Sequence, residues 1–172
     1  MATTTNKKVA ASKVSLAVTA LQSLASSATV GWKSVWVDDT GASSTGSLDY
    51  EIFVKLTTAN TAPANDKAAY VYVVPLYYDG SAMNPSDGGT TTLPTSADAS
   101  YTIANPNNMK LLGVLNYTTQ QMTMQGIWML TSIPDFKNYL PDGFGIVIIN
   151  FTGAALSTGC IVDYRAISET NS

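Results

Sequence analysis

The chain has 172 residues, of which 12% are charged: nine Lys and Arg against twelve Asp and Glu give a net charge of -3, with no histidine and one cysteine. This length supports one domain with its own core. The lone arginine, Arg165, and the negative balance argue against nucleic-acid binding, the missing imidazole excludes His-dependent acyl transfer, and the single cysteine, Cys160, excludes an internal disulfide.

Residues 1–12 are rich in Thr, Asn, Lys and Ala, have little to bury, and are expected to form a flexible N-terminal arm ahead of a single domain over 13–172. Lys7-Lys8 followed by short apolar runs imitates a signal peptide. Lys13 interrupts the run, however, and Val14, Leu16, Val18 and Ala20 alternate with Ser15, Ala17 and Thr19, the period-two pattern of a first strand. Leu21 to Ser27 reads as a loop. No stretch reaches the length of a membrane-spanning helix, so no membrane partner is expected.

A second strand is predicted over Thr29 to Val37, followed by a polar connection from Asp38 to Ser47. The clearest alternation comes next: Leu48, Tyr50, Ile52, Val54 and Leu56 share one side, and Asp49, Glu51 and Lys55 lie on the other. After a loop with Pro63, the segment Ala68 to Tyr78 is apolar or aromatic on both faces. Such a strand lies inside a sandwich with something packed outside it, or in a subunit interface. Pro75 cannot donate to a ladder and marks a bulge or an edge.

Gly80 to Asn108 is a long irregular stretch with three prolines and the run Asp87-Gly88-Gly89. Loops of this length in compact domains are usually functional, which makes it the candidate contact loop. Four closely spaced strands follow, near Met109–Tyr117, Gln121–Thr131, Phe144–Phe151 and Gly159–Ile167. Between the second and third, Ile133 to Gly143 carries two prolines and two aromatics and should be an ordered, packed loop. Cys160 reads as a buried small apolar residue. About eight antiparallel strands in this length fit an all-β sandwich of the jelly-roll type better than an immunoglobulin domain.

Low charge also weakens repulsion between neighbours and biases the chain toward self-association. Little chemistry accompanies the strands. The carboxylates most easily placed together, Asp38 with Asp39, Asp79 with Asp87 and Asp135 with Asp142, lie in turns, where Asp serves the backbone. Oxygens near Asp79 and Asn84 do not follow the spacing of a calcium loop. The sequons at Asn116 and Asn150 read as chance matches. No catalytic residue, enzymatic activity, metal or cofactor is expected. Trp128, in register with Met122, Met124 and Leu130, reads as core, and the tyrosines of the fourth strand read as core or subunit contact in preference to a sugar platform.

Several runs carry a family likeness: Tyr70-Val71-Tyr72-Val73-Val74-Pro75, the Asp87-Gly88-Gly89 loop, Leu111-Leu112-Gly113-Val114, and the long run from Leu140-Pro141-Asp142-Gly143 to Ala155-Leu156. With Leu24 to Gly31 and the Leu48 strand, they extend over most of the chain. In the order of these elements the sequence resembles a group of tailed-bacteriophage virion proteins, small jelly-roll domains that act as head decoration, or cement, proteins. The resemblance implies a protein folded in the host cytoplasm that binds the phage major capsid protein on the outer surface of the assembled capsid, usually as a homotrimer. On that reading Tyr70, Tyr72, Tyr77, Tyr78, Asn84 and Asp87 are the candidate subunit or capsid contacts. The alternative is a carbohydrate- or receptor-binding, lectin-like module of the virion tail.

Overall fold

Alternation over Tyr50–Leu56 has the structural outcome that it demands, whereas at the start of the run Leu48 is exposed and Asp49 is buried. Ile52, Val54 and Leu56 are fully buried, while Glu51, Phe53 and Lys55 between them are half-buried on the other face. The computed structural model describes residues 6–40, 47–64, 66–85, 97–102 and 109–171. Its strands are β1 (Asn6–Ala10), β2 (Val14–Ser15), β3 (Val30–Lys33), β4 (Val37–Asp38), β5 (Asp49–Thr57), β6 (Ala68–Tyr78), β7 (Met83–Pro85), β8 (Ala99–Thr102), β9 (Lys110–Asn116), β10 (Thr123–Met129), β11 (Gly143–Phe151) and β12 (Ile161–Asn171). Two single turns of 3-10 helix, Leu130–Ser132 and Pro134–Phe136, start the connection from β10 to β11.

All pairings are antiparallel, and they form two sheets. The first runs β1-β12-β5-β10 with β2 beside β12; the second runs β7-β6-β11-β3-β8 with β4 beside β11 and β9 beside β6. β1 and β2 lie along one edge of β12, and β3 and β4 along one edge of β11, so each pair counts as one interrupted strand. With β7 and β8 set aside as additions, eight principal strands remain. One sheet orders them first, eighth, third, sixth; the other orders them second, seventh, fourth, fifth. Neighbours are therefore first with eighth, second with seventh, third with sixth and fourth with fifth, as when one long hairpin is rolled up. That is the jelly roll.

Side chains from both inner faces fill the core, with Trp32, Ile52, Leu56, Val71, Phe144 and Ile148 among the most deeply buried. A second apolar cluster lies on the outer face of the second sheet. There Val74 and Val147 are fully buried beneath a layer that includes Met83, Tyr101 and Met109. β6 and β11 are thus covered on both sides, which explains their unbroken apolar sequences. Of the two situations compatible with the Tyr-rich strand, a layer packed outside accounts for this part of it.

Several sequence expectations change. The arm expected over residues 1–12 is a strand at Asn6–Ala10, paired with β12 from Asn171 to Ile167. Its side chains from Lys7 to Ala10 are exposed, so main-chain hydrogen bonds hold it, and hydropathy does not reveal such a strand. The strand expected over Val14–Ala20 shortens to β2, because Leu16, Leu21 and Leu24 turn inward through a series of bonded turns, Leu21 N–H and Gln22 N–H both donating to Val18 O. The strand expected over Thr29–Val37 is interrupted after Lys33. Ile146 N–H donates to Ser34 Oγ at 2.9 Å in place of a main-chain oxygen, while Ser34 N–H donates to Ile146 O at 2.8 Å. Finally, the irregular stretch Gly80–Asn108 contributes β7 and β8, which extend the second sheet.

Candidate functional site

The two outer faces of the sandwich differ in chemistry. On the first sheet, Arg165 and Glu51 sit directly opposite each other across β12 and β5, with Arg165 Nη2 donating to Glu51 Oε2 at 2.9 Å and Nε 2.8 Å from Oε1. Beside them the buried carboxylate of Asp163 accepts from Lys13 Nζ and from Ser15 Oγ, each at 2.7 Å, and the Lys13 ammonium lies 5.6 Å from the centroid of the Phe53 ring. These charges satisfy one another.

The β6–β9 border of the second sheet is apolar. Tyr70 pairs with Val114 and Tyr72 with Leu111. A bulge makes this possible: the register shifts between Val71 and Tyr72, leaving Leu112 as the extra residue of β9. Leu111 and Val114, three apart, would face opposite ways in a regular strand. With the bulge both face out, 51% and 37% exposed, while Leu112 and Leu115 face in. The rings of Tyr70 and Tyr72 stack with centroids 6.5 Å apart and planes inclined by 29°. Leu111, Val114 and the two half-buried tyrosines make a continuous apolar ladder.

The other candidate contacts stand elsewhere. Tyr77 and Tyr78 lie at the far end of β6, paired with Asn84 and Met83 of β7. Seven residues of extended chain separate Tyr77 from Tyr70, or about 23 Å. Asn84 Nδ2 donates to Asp79 Oδ2 at 2.9 Å, and Asp79 Oδ1 accepts from the N–H groups of Ser81 and Ala82 at 2.8 Å each. Those amides hold the Asp79 carboxyl below the usual aspartate range. Asn84 and Asp79 therefore build the turn between β6 and β7. Asp87 lies outside the described residues.

A pair of clefts near Tyr77 was not anticipated. Tyr139, 71% exposed, projects from the loop before β11 and helps to wall both. The larger, about 390 Å³, has Asp39, Ser47, Thr131 and Asn138 among its polar groups. The smaller, about 230 Å³, is bordered by Pro75, Tyr77, Phe136 and Pro141. Asp142 lies in both and ties the loop down: its Oδ2 accepts from Tyr78 N–H at 2.9 Å, and its carbonyl accepts from Asp39 N–H at 2.8 Å. Tyr50 O–H donates to Asp39 Oδ1 at 2.5 Å. Burial raises the pKa of Asp39, and the nearby charges of Asp38 and Asp142 add to this. The sequence marked this loop as ordered by its two prolines; it gave no sign that Tyr139 would stand outside the packing.

The sequons also find their places. Asn150 is fully buried with both amide hydrogens engaged, so in the folded chain it serves structure; Asn116 is exposed at the end of β9. No protein-family model matches the chain, and no curated protein matches it.

Proposed function

We propose that the protein is a virion structural protein that binds the outer surface of an assembled phage capsid as a homotrimer and stabilises the shell as a decoration, or cement, protein. The observation that supports this reading most directly is the ladder of Tyr70, Tyr72, Leu111 and Val114, partly exposed among the described residues, set on a jelly roll whose opposite face carries the Arg165–Glu51 and Lys13–Asp163 ion pairs. Apolar surface rimmed by polar residues suits contact with a partner protein. Low overall charge makes close packing of copies inexpensive.

In this proposal the ladder joins subunits, and residues 1–12 with the 80–108 connection reach the shell. A protein that binds only the expanded shell stabilises it by mass action, in proportion to concentration over dissociation constant, without bond-making. Light scattering after size-exclusion chromatography should give three times the chain mass of 18.2 kDa, falling to one in Leu111→Lys or Tyr72→Lys. Purified expanded heads should sediment with the intact chain and lose it when residues 1–12 are removed and the 80–108 connection is shortened. A monomer that ignores mature heads would refute the proposal. The lectin-like tail module is the second reading, favoured by the clefts around Tyr139; it requires the protein to fractionate with tails and to bind host envelopes.

A further inference from the structure

The two most exposed aromatic side chains among the described residues, Tyr139 at 71% and Tyr77 at 66%, border the same cleft. An exposed phenol ring presents an apolar face with a polar tip, which is suited to the C–H face of a sugar ring. Around these rings the available polar groups are hydroxyl partners. Asp39 and Asp142 present carboxylate oxygens, which accept, and Asn138 presents an amide, which both accepts and donates. Asp142 Oδ1 accepts from Tyr139 O–H at 3.4 Å, a long contact that a stronger donor can displace.

From this combination we infer that the clefts flanking Tyr139 form a binding site for a neutral saccharide, with Tyr139 and Tyr77 as stacking surfaces and Asp39, Asn138 and Asp142 as hydroxyl partners. The larger cleft, about 390 Å³, is within the usual size range of small-ligand sites. Because Phe136, Tyr139, Pro141 and Asp142 border both clefts, neighbouring rings of one oligosaccharide can occupy them together. Charge sets the class of sugar. Asp39 and Asp142 line the larger cleft against one cation, Lys137, and Asp135 and Asp142 line the smaller, so carboxylates outnumber ammonium groups and uncharged hexoses or N-acetylhexosamines are favoured over sialylated, sulfated or phosphorylated glycans. Preorganisation comes from the backbone, since Asp142 is bonded to Tyr78 N–H and Asp39 N–H and the loop carries Pro134 and Pro141.

This inference deepens the lectin-like reading but does not depend on a tail location. Isothermal titration of the intact protein with lactose, cellobiose, maltose and diacetylchitobiose tests it, with sialyllactose as the charged comparison. At least one neutral disaccharide should bind in the millimolar range, and Tyr139→Ala and Tyr77→Ala should each weaken it roughly tenfold or more, about 1.4 kcal/mol. Ile127→Ala, at an exposed position of β10 in the other sheet, should leave the affinity unchanged, and sialyllactose should bind more weakly than lactose. Both cleft variants alter exposed side chains, and their folding can be checked by circular dichroism. Absence of binding to every neutral probe, or binding indifferent to Tyr139→Ala, overturns the site. Head-only fractionation of a protein that does bind sugar would refute the tail reading and leave the site standing.

Discussion

The indole of Trp128 occupies the space that a side chain on Gly113 would need: a Cβ added there would fall 2.2 Å from Trp128 Cε2. Gly126, two residues before the tryptophan, is crowded in the same way, its Cβ position 2.0 Å from Cη2. Gly113 belongs to β9 and Gly126 to β10, the borders of opposite sheets, so the ring closes the seam between them while packing against the core. Gly113→Ala should therefore destabilise the fold by about 1–3 kcal/mol in urea denaturation, even though alanine in a strand is otherwise favoured over glycine. In a Trp128→Ala background the same change should be neutral or stabilising. Equal penalties in both backgrounds would show that the ring is not the obstacle.

Asn150 should be among the least replaceable polar residues. Its Nδ2 donates to Leu24 O at 3.0 Å and Ala154 O at 2.8 Å, and its Oδ1 accepts from Thr152 N–H at 3.2 Å and Thr152 Oγ1 at 2.8 Å. One amide thus fixes the turn after β11 and anchors the segment that follows β2. Asn150→Ala strands several buried partners, and a loss of about 3 kcal/mol is expected. Asn150→Asp should be no milder, since it keeps the acceptors but sets a carboxylate against two carbonyl oxygens. A loss under about 1 kcal/mol in either variant, measured by denaturant unfolding, would show that water replaces the amide.

Much of this architecture is legible in the sequence because side-chain alternation writes it directly. The long strands β5, β6 and β11 announce themselves through period-two or continuous apolar runs, and Cys160 is buried as its neighbours suggest. What escapes is information carried by the main chain or by distant partners. β1 is held chiefly by backbone bonds, with Thr170 Oγ1 also donating to Lys7 O, and Ser34 enters a ladder through its hydroxyl. The ladder of Tyr70, Tyr72, Leu111 and Val114 depends on a bulge at Leu112, and a sequence read with strict alternation places Leu111 and Val114 on opposite faces. Tyr139 escapes for a simpler reason: an aromatic between prolines packs in most loops, and its exposure here depends on how Asp142 is tied to strands far away in sequence.

Asp98 illustrates the long-range case and makes its own prediction. Its Oδ2 accepts from the Trp32 indole Nε1–H at 2.7 Å and from Ala20 N–H at 2.5 Å, partners 66 and 78 residues away. A single carboxylate oxygen therefore pins β3 to the turn that carries Leu21 and Leu24. Asp98→Ala should cost about 2–3 kcal/mol, because a fully buried tryptophan loses the charged acceptor of its only donor group. Asp98→Asn, which keeps one acceptor oxygen, should cost less. Near-ultraviolet circular dichroism should change with Asp98→Ala, and an unchanged spectrum with unchanged stability would refute the pinning role.

Asp39 gives a pH dependence whose sign can be worked out. Burial raises its pKa above the ordinary aspartate value of 3.8 by more than the hydrogen bonds from Tyr50 and Ser47 lower it. The folded state therefore keeps this proton to a higher pH than the unfolded chain does. Its stabilising contribution is complete below 3.8 and is lost as pH rises through the raised folded value. Asn at this position can still accept from Tyr50 O–H but does not titrate. Across that window the stability of Asp39→Asn should rise steadily relative to the parent, as read from urea midpoints at successive pH values. Tyr50→Phe should act in the opposite sense on the carboxyl, removing a bond that lowers its pKa and moving the window upward. If the parent and Asp39→Asn instead keep a constant difference from about pH 3 to 7, then Asp39 titrates alike in both states and burial at the cleft wall is not felt by its charge.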